Sequence, residues 1–221
     1  MSQLALPFEP IPGFGRADFM RGSNNAAALA AIDEWRAWPA RRLALIGPPA
    51  SGKSHLASIW AQSVGAARLD PAGLVAADPT ALPAAPLLIE DGDRAIAGDP
   101  AREAGLFHLC NAFASAGQWM LLTGRIAPAR WAVALPDLAS RLTAMTPVQL
   151  APPDDALLRG LLVKHFAERG VAASEPLLRF LLRRMERSAE AAAALARTLD
   201  MAALAEKTAI SVPFARRILG W

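Results

Sequence analysis

A loop rich in glycine and proline runs from Gly47 to Ser54. The apolar segment Arg42 to Ile46 predicts a strand directly before it, and the pattern from Ser54 to Val64 predicts a helix directly after it. A strand, a glycine-rich loop and a helix in this order direct backbone N–H groups and the positive end of the helix toward one point. We therefore expect this loop to bind a chain of phosphates.

The loop matches G-x-x-x-x-G-K-[ST] at every fixed position. Lys53 is expected to reach the terminal phosphates, Ser54 to ligate Mg²⁺, and His55 to add backbone contacts in the first helical turn. The alternative is a chance glycine-rich turn, which the flanking strand and helix argue against. The sequence thus predicts ADP or ATP, with Mg, as the cofactor. The nucleotide-binding residues predicted here are Gly47, Pro49, Ala50, Ser51, Gly52, Lys53, Ser54 and His55.

Two adjacent carboxylates follow a second apolar strand, predicted from Leu87 to Ile89. Because parallel strands end at the same edge of a sheet, Glu90 and Asp91 are expected beside the phosphates. We assign Glu90, together with Ser54, to the metal, and Asp91 to catalysis. The segment resembles a Walker B strand, in which the first acid is usually Asp. Glu90 is one methylene longer, which would change the geometry of a bound metal ion. The alternative is that the acids only cap a following element at Asp93.

The order of the predicted elements indicates the fold class. A strand from Trp119 to Thr123 follows a helix from Ala101 to Ala116, and strands that alternate with helices predict an α/β fold with a parallel sheet covered on both faces. Beyond the stiff break at Ala151-Pro152-Pro153 every segment has helical periodicity, so a small all-α domain is expected there. The other expected helices are Ser23 to Trp35, Asp154 to Arg169, Ser174 to Glu186, Ala189 to Leu204 and Val212 to Leu219.

Composition excludes several other classes. The chain has 221 residues, of which 53% are hydrophobic, so it can bury a core, while its apolar runs are interrupted well before membrane-spanning length. A single cysteine, Cys110, permits no internal disulfide and fits a cytoplasmic protein. The net charge of +3 is too small to indicate nucleic-acid binding, and the arginines from 179 to 187 favour a solvated helix face over a phosphate-tracking patch.

With these motifs in this order, the chain resembles the AAA+ ATPases, and from Ala17 onward it resembles their DnaA branch. The entry segment from Asp18 to Ala27 is similar to the stretch that borders the adenine in DnaA-like proteins, which implies that Asp18 and Phe19 contact the nucleotide. The segment Leu122 to Arg125 resembles the sensor-1 region, with Thr123 as a polar probe near the γ-phosphate. The resemblance implies an AAA+ P-loop module with a helical lid.

The segment Asp137 to Leu142 resembles the arginine finger of the same family, in which one molecule inserts a guanidinium into its neighbour's nucleotide site. By this resemblance Arg141 is the main catalytic candidate and acts in trans, with an effect of about 10³ or more in rate. A surface arginine on a short helix is the alternative. The family has an arginine, called sensor 2, early in the third lid helix. This sequence has Glu190 there and Arg187 one turn earlier, so the sensor-2 residue is left as Arg187 or none.

The first residues carry a separate signal. The segment from Gln3 to Phe8 resembles the peptide by which bacterial proteins dock on the DNA polymerase sliding clamp. In such a peptide Leu6 and Phe8 fill apolar pockets, while Pro7 stiffens the strand. The alternative is a terminal strand added to the protein's own sheet. The clamp-binding residues predicted are Gln3, Leu4, Leu6, Pro7 and Phe8.

Together these resemblances imply three parts, which are an extended clamp-binding tail at 1–12, an AAA+ base at 13–151 and a lid at 152–221. They imply a negative regulator of chromosomal replication initiation that docks on the sliding clamp and promotes hydrolysis of DnaA-bound ATP, with weak or no ATPase activity of its own. The expected partners are DnaA, the clamp and possible further copies of the chain, with no membrane.

The chain ends at Trp221, where DnaA continues into a helix-turn-helix domain, so no sequence-specific DNA binding is expected. Two other functions remain open on the residues alone. One is an autonomous AAA+ ATPase of helicase-loader type, and the other is a P-loop small-molecule kinase.

Overall fold

A computed structural model describes residues 15–70, 72–76 and 85–221. The five residues predicted to bind the clamp, Gln3, Leu4, Leu6, Pro7 and Phe8, lie outside the described residues. Within the described ranges, no helix is both long enough and apolar enough to span a bilayer.

Five parallel strands form one sheet in the order β2-β3-β4-β1-β5. The strands are β1 (Arg42–Ile46), β2 (Ala67–Leu69), β3 (Leu87–Ile89), β4 (Met120–Gly124) and β5 (Thr146–Gln149). Because β1 lies between β4 and β5, connections leave it toward opposite faces, and a crevice opens at the carboxyl ends of the central strands. The loops that follow β1, β3 and β4 therefore meet at one edge of the sheet.

The three strands predicted from the sequence are the buried central strands of the sheet. The structure confirms strands at Arg42–Ile46 and Leu87–Ile89, and it places the third one residue later than predicted, at Met120–Gly124. The two edge strands, Ala67–Leu69 and Thr146–Gln149, were missed. They are short and only partly buried, so they lack the continuous apolar run that marks a central parallel strand.

Ten α-helices occur in the part of the chain that the structure describes. Those that precede or pack on the sheet are α1 (Ala26–Asp33), α2 (Lys53–Val64), α3 (Gly73–Ala76), α4 (Gly92–Ala95), α5 (Pro100–Ser115) and α6 (Pro136–Thr143). Those that follow it are α7 (Asp155–Ala167), α8 (Glu175–Leu182), α9 (Ala189–Glu206) and α10 (Val212–Leu219).

Both faces of the sheet are covered, as predicted. Leu88 and Leu121 point into a core shared with α1 and α2, whereas Leu87, Ile89 and Leu122 point into a core shared with α5 and α6. This alternation follows from the period of two along a strand. The described residues therefore form an α/β fold with a parallel sheet covered on both faces, which is the predicted fold class.

The four helices after the sheet have a hydrophobic core of their own, built from residues such as Leu158, Phe166, Leu181 and Leu199. They form the small all-α lid that was predicted. The separate core supports a domain boundary near residue 151, although the exact boundaries stay predictions.

Candidate functional site

The loop between β1 and α2 is fixed by its backbone. Gly47 has φ 156°, and a Cβ atom at this position would lie 2.4 Å from the Leu150 carbonyl oxygen. Gly52 has φ 98° and comes directly before the first residue of α2, while Ala50 has φ 57°. Left-handed residues let the chain curl around a point in front of the helix. The N-terminus of α2, whose first N–H groups have no acceptor within the helix itself, is therefore turned toward the inside of the loop.

Lys53 is the first residue of α2, and its side chain is buried. Its Nζ donates hydrogen bonds to the carbonyl oxygens of Gly47, at 2.9 Å, and Pro48, at 2.8 Å. Burial lowers the pKa of Lys53, and the charges of Asp91 and Asp93 act against that shift. The ammonium group therefore lies over the loop, within the electrostatic influence of two carboxylates.

A cleft of about 260 Å³ opens beside this loop and is lined by both the base and the lid. Most of the residues predicted to bind the nucleotide line it, namely Asp18, Phe19, Pro49, Ala50, Ser51, Gly52, Lys53, Ser54 and His55. Gly47 lies behind the lining and holds the loop against the chain that follows β5. Residues distant in sequence thus converge on one site.

The entry segment forms one wall of the cleft. The rings of Phe19 and His55 meet edge to face, with their centroids 5.1 Å apart. Met20 packs against the lid core, and Lys164 of α7 donates to the backbone oxygen of Asp18 at 3.3 Å. The segment therefore lies between α2 and the first lid helix, and its apolar side chains offer a surface that suits a planar base.

The two acids after β3 have different surroundings. Asp91 lines the cleft, but Glu90 does not, because its carboxylate pairs with Arg68 of β2 at 3.3 Å. Asp91 has φ 48°, and its backbone N–H donates to Thr123 Oγ1 at 2.9 Å. The structure therefore does not bring Glu90 to the place where it was expected to hold a metal. Of the two acids, it is Asp91 that lines the cleft together with Ser54.

Thr123 also differs from its predicted role. It is 1% exposed, it does not line the cleft, and its hydroxyl group accepts the hydrogen bond from Asp91. The Thr123 side chain thus holds the backbone of Asp91, which follows the neighbouring strand β3, and it does not line the cleft.

The residues of the loop fit a bound nucleotide. The Ser51 hydroxyl is buried and has no hydrogen-bond partner among the described residues, and a phosphate oxygen would supply one. Among the same residues no group of three or more His, Cys, Asp and Glu side chains is placed to hold a metal ion. A cation here would therefore need ligands from the nucleotide as well as from Ser54 and Asp91.

Comparisons with known proteins identify the fold and the lid. Residues 155–219 match the family described as "Hda, lid domain". The chain is also similar to domain III of the replication initiation protein DnaA from Thermotoga maritima, with a TM-score of 0.79 and 18% identity over 95% of this chain and 97% of that one. The chain has the AAA+ fold and an Hda-type lid.

Two further structures share the fold. The AMPPCP-bound DnaA from Aquifex aeolicus aligns with a TM-score of 0.68 and 16% identity, over 86% of this chain and 66% of that one. The Holliday junction branch migration motor RuvB from Thermotoga maritima aligns with a TM-score of 0.65 and 17% identity, over 89% and 66%. These comparisons show the AAA+ fold for this chain and a match to the Hda family over the lid, in line with the family resemblance of the sequence.

The arginine that this AAA+ resemblance singles out is exposed. Arg141 lies on α6, it does not line the cleft, and it has no hydrogen bond or ion pair within the described ranges. Leu138 and Leu142 bury the opposite side of α6. Glu103 of α5 is buried and accepts a hydrogen bond from the N–H of Leu135, which immediately precedes the helix, at 2.9 Å. Arg141 is thus presented to solvent from an anchored helix.

The Hda-type lid places a carboxylate at the cleft. Glu190, in the first turn of α9, lines it, whereas Arg187 donates to Asp155 Oδ1 at 2.6 Å and to the Pro153 carbonyl oxygen at 3.0 Å. Arg187 therefore ties the start of α7 to the loop before α9 and is not among the residues that line the cleft.

Sequence reasoning did not assign several of the lining residues to the site. They are Met20, Asn25, Arg125, Pro153, Leu157, Leu161, Ala189 and Glu190. The apolar positions of α7 gave a signal, because Leu157 and Leu161 are one turn apart and so share a helix face. That this face meets the loop depends on how the lid packs on the base.

Proposed function

We propose that this chain binds ADP or ATP in the cleft, docks on the DNA polymerase sliding clamp, and promotes hydrolysis of DnaA-bound ATP through Arg141 acting in trans. The AAA+ fold and the Hda-type lid support a DnaA-related regulator. The observation that carries the proposal is the position of Arg141, which is exposed, unpaired among the described residues, and outside the chain's own cleft.

The cleft residues would hold the nucleotide as follows. The N-terminus of α2 and Lys53 would bind the phosphates, Ser51 would donate from its buried hydroxyl group, and Phe19 would pack beside the base. Ser54 and Asp91 would hold Mg²⁺, whose charge offsets that of the phosphates. Since base and lid both line the cleft, a bound nucleotide would set the angle between them.

Arg141 suits a role on a partner for two physical reasons. A guanidinium is planar and permanently charged, and it donates several N–H bonds in a fixed fork that matches a transferring phosphoryl group. Its helix is held by Glu103 and by buried leucines, so the partner's site does not have to order it. Such an arginine is worth about 10³ or more in the rate of the partner's hydrolysis.

Weak turnover of the chain's own nucleotide is consistent with the same geometry. Glu90 is paired with Arg68, and the lid contributes Glu190 to the cleft, while Arg187 is engaged elsewhere. The cleft would then serve mainly to fix the conformation of the protein. Localisation in the cytoplasm and association with further copies stay predictions.

The experiment that tests the proposal measures hydrolysis of labelled ATP bound to DnaA, in the presence of DNA-loaded clamp and this protein. We expect Arg141→Ala to reduce the stimulated rate by about 10³, to background, and to leave clamp binding unchanged. Arg130→Ala is the matched control, because Arg130 is also exposed and lies on the same connection between β4 and β5. Full stimulation by Arg141→Ala would refute the trans role.

A second variant separates docking from catalysis. Phe8→Ala should lose clamp affinity first and should therefore lose stimulation only when the clamp is needed to bring the two proteins together. If Phe8→Ala bound the clamp with unchanged affinity, the proposal that the tail docks on the clamp would be refuted. Turnover of ATP by the purified chain alone would favour an autonomous ATPase instead.

A further inference from the structure

The lid carries the whole net charge of the chain. Residues 152–221 contain eleven Lys and Arg and eight Asp and Glu, an excess of three positive charges, whereas the positive and negative residues before them are equal in number. Five exposed arginines of the lid lie on α8, directly after it, or on α10, and we call them the lid arginine cluster. They are Arg179, Arg183, Arg184, Arg216 and Arg217.

Two helices that are distant in sequence meet in this cluster around one ring. The Arg184 Cζ atom lies 4.5 Å from the centre of the Phe180 ring, and the Arg216 Cζ atom lies 5.7 Å from the same point. Trp221 packs on Phe180 as well, with ring centroids 6.0 Å apart. The sequence favours a solvated helix face for the arginines from 179 to 187, and they are exposed, but the structure brings Arg216 of α10 beside them.

Most of the charge in the cluster is not neutralised within the described residues. Arg217 pairs with Glu206, but Arg183, Arg184 and Arg216 have no hydrogen bond or ion pair there. A ring beneath a guanidinium holds it by cation–π attraction and leaves the N–H groups at its edge free to donate. Arg184 and Arg216 are therefore held in place for an outside group that is rich in acceptor oxygens.

The cluster lacks the exposed apolar groups that other partners would bury. Phe180 and Phe214, the rings beneath the arginines, are only 7% and 6% exposed, and none of the large exposed hydrophobic side chains among the described residues lies on α8 or α10. A protein partner would need such anchors, and the bases of a single strand would need open rings on which to stack. The backbone of a duplex needs only permanent charges with free N–H groups.

We propose that the lid arginine cluster binds the phosphate backbone of duplex DNA without regard to its sequence. Arg184 and Arg216 donate to phosphate oxygens, and Arg183 adds its charge beside them. The inference goes beyond the proposed function and does not depend on it, because it concerns the lid alone and needs neither DnaA nor the clamp. It is compatible with the expected absence of sequence-specific DNA binding.

The test measures the fluorescence anisotropy of a short labelled duplex that is titrated with the full chain over a series of salt concentrations. Binding should weaken steeply with salt, and two duplexes of equal length but different sequence should bind alike. Arg184→Gln and Arg216→Gln should each weaken binding by about fivefold and lower the slope of log affinity against log salt by about one.

Arg36→Gln is the matched control. Arg36 is an exposed arginine of the base that also lies over a ring, with its Cζ atom 4.3 Å from the centre of Trp35. Its variant therefore removes the same charge and the same kind of ring contact, and it should leave the salt slope unchanged. Arg184→Lys and Arg216→Lys keep the charge and should keep the slope, which distinguishes a phosphate contact from a packing effect.

Several results would overturn the inference. One is that the original protein does not bind the duplex even at low salt. Another is an equal loss in Arg36→Gln, which would indicate a general effect of net charge, and a third is a loss of slope in the lysine variants as large as in the glutamine ones. Tighter binding of a single strand than of the duplex would indicate stacking instead. None of these results bears on Arg141, whose role is tested separately on DnaA-bound ATP.

Discussion

The glycine-rich loop from Gly47 to Ser54 and the helix that carries Arg141 lie on the same domain but are held in opposite ways. The loop is fixed from within, because Gly47 passes against the Leu150 carbonyl oxygen and Lys53 donates to the loop carbonyls. Arg141 is held only through Leu138 and Leu142 on the buried side of its helix, and its guanidinium has no hydrogen bond or ion pair in the described residues.

The two regions therefore act in different ways. The polar groups that hold the loop are bonded within the chain, so a site there needs only a ligand. The Arg141 guanidinium has no partner in the described residues, so under the proposed function it acts only when a second molecule binds. Substitutions in the loop should therefore disturb the protein itself, whereas Arg141→Ala should be visible only in the presence of a partner.

The largest expected effect is at Gly47. Gly47→Ala places a Cβ atom 2.4 Å from a backbone oxygen at φ 156°, so the loop and the chain after β5 must separate. We expect a loss of about 4 kcal/mol in the free energy of unfolding, measured by urea denaturation. The matched control is Gly65→Ala, where φ is 64° but the space is open, and where about 1 kcal/mol is expected. Equal losses at both positions would contradict the close packing of the loop.

The next effect is on nucleotide affinity. Lys53→Ala removes a buried cation that lines the cleft, and we expect binding of a fluorescent ADP analogue to weaken by about 100-fold. Lys207→Gln removes a charge from the exposed end of α9 and should leave affinity within twofold. Binding of Lys53→Ala at the original affinity would mean that the phosphates lie elsewhere.

An intermediate effect is expected where the Arg141 helix is anchored. Glu103→Gln replaces one of the two carboxylate oxygens that accept from the N–H groups of Ala134 and Leu135 by an amide N–H₂, which cannot accept. We expect a loss of about 2 kcal/mol in stability, together with faster hydrogen exchange at the Leu135 amide. Unchanged exchange there would show that the start of α6 does not depend on this carboxylate.

The smallest effect should be that of Arg141→Ala on stability. Because the side chain is exposed and unpaired among the described residues, the free energy of unfolding should change by less than about 0.5 kcal/mol. Arg187→Ala provides the contrast, since Arg187 bonds to Asp155 and to the Pro153 carbonyl oxygen, and about 1 kcal/mol is expected. Calorimetry of the two variants would show whether Arg141 has a structural role after all.

The sequence alone determined the features that depend on short stretches of chain. The curled glycine-rich loop, the strand Arg42–Ile46 before it and the helix after it could be predicted because glycine positions and continuous apolar runs act locally. The α/β class followed from the order of such segments, and the all-α lid from helical periodicity after the prolines.

Tertiary structure decided which side chains face the cleft. The sequence placed Glu90 and Thr123 near the phosphates, yet Glu90 pairs with Arg68 on the neighbouring strand and Thr123 is buried against Asp91. Glu190, a hundred residues after Glu90 in the sequence, lines the cleft because the lid packs beside the loop. Local patterns fix the conformation of a segment, but the direction of a side chain at a junction between elements depends on partners that only the packed fold supplies.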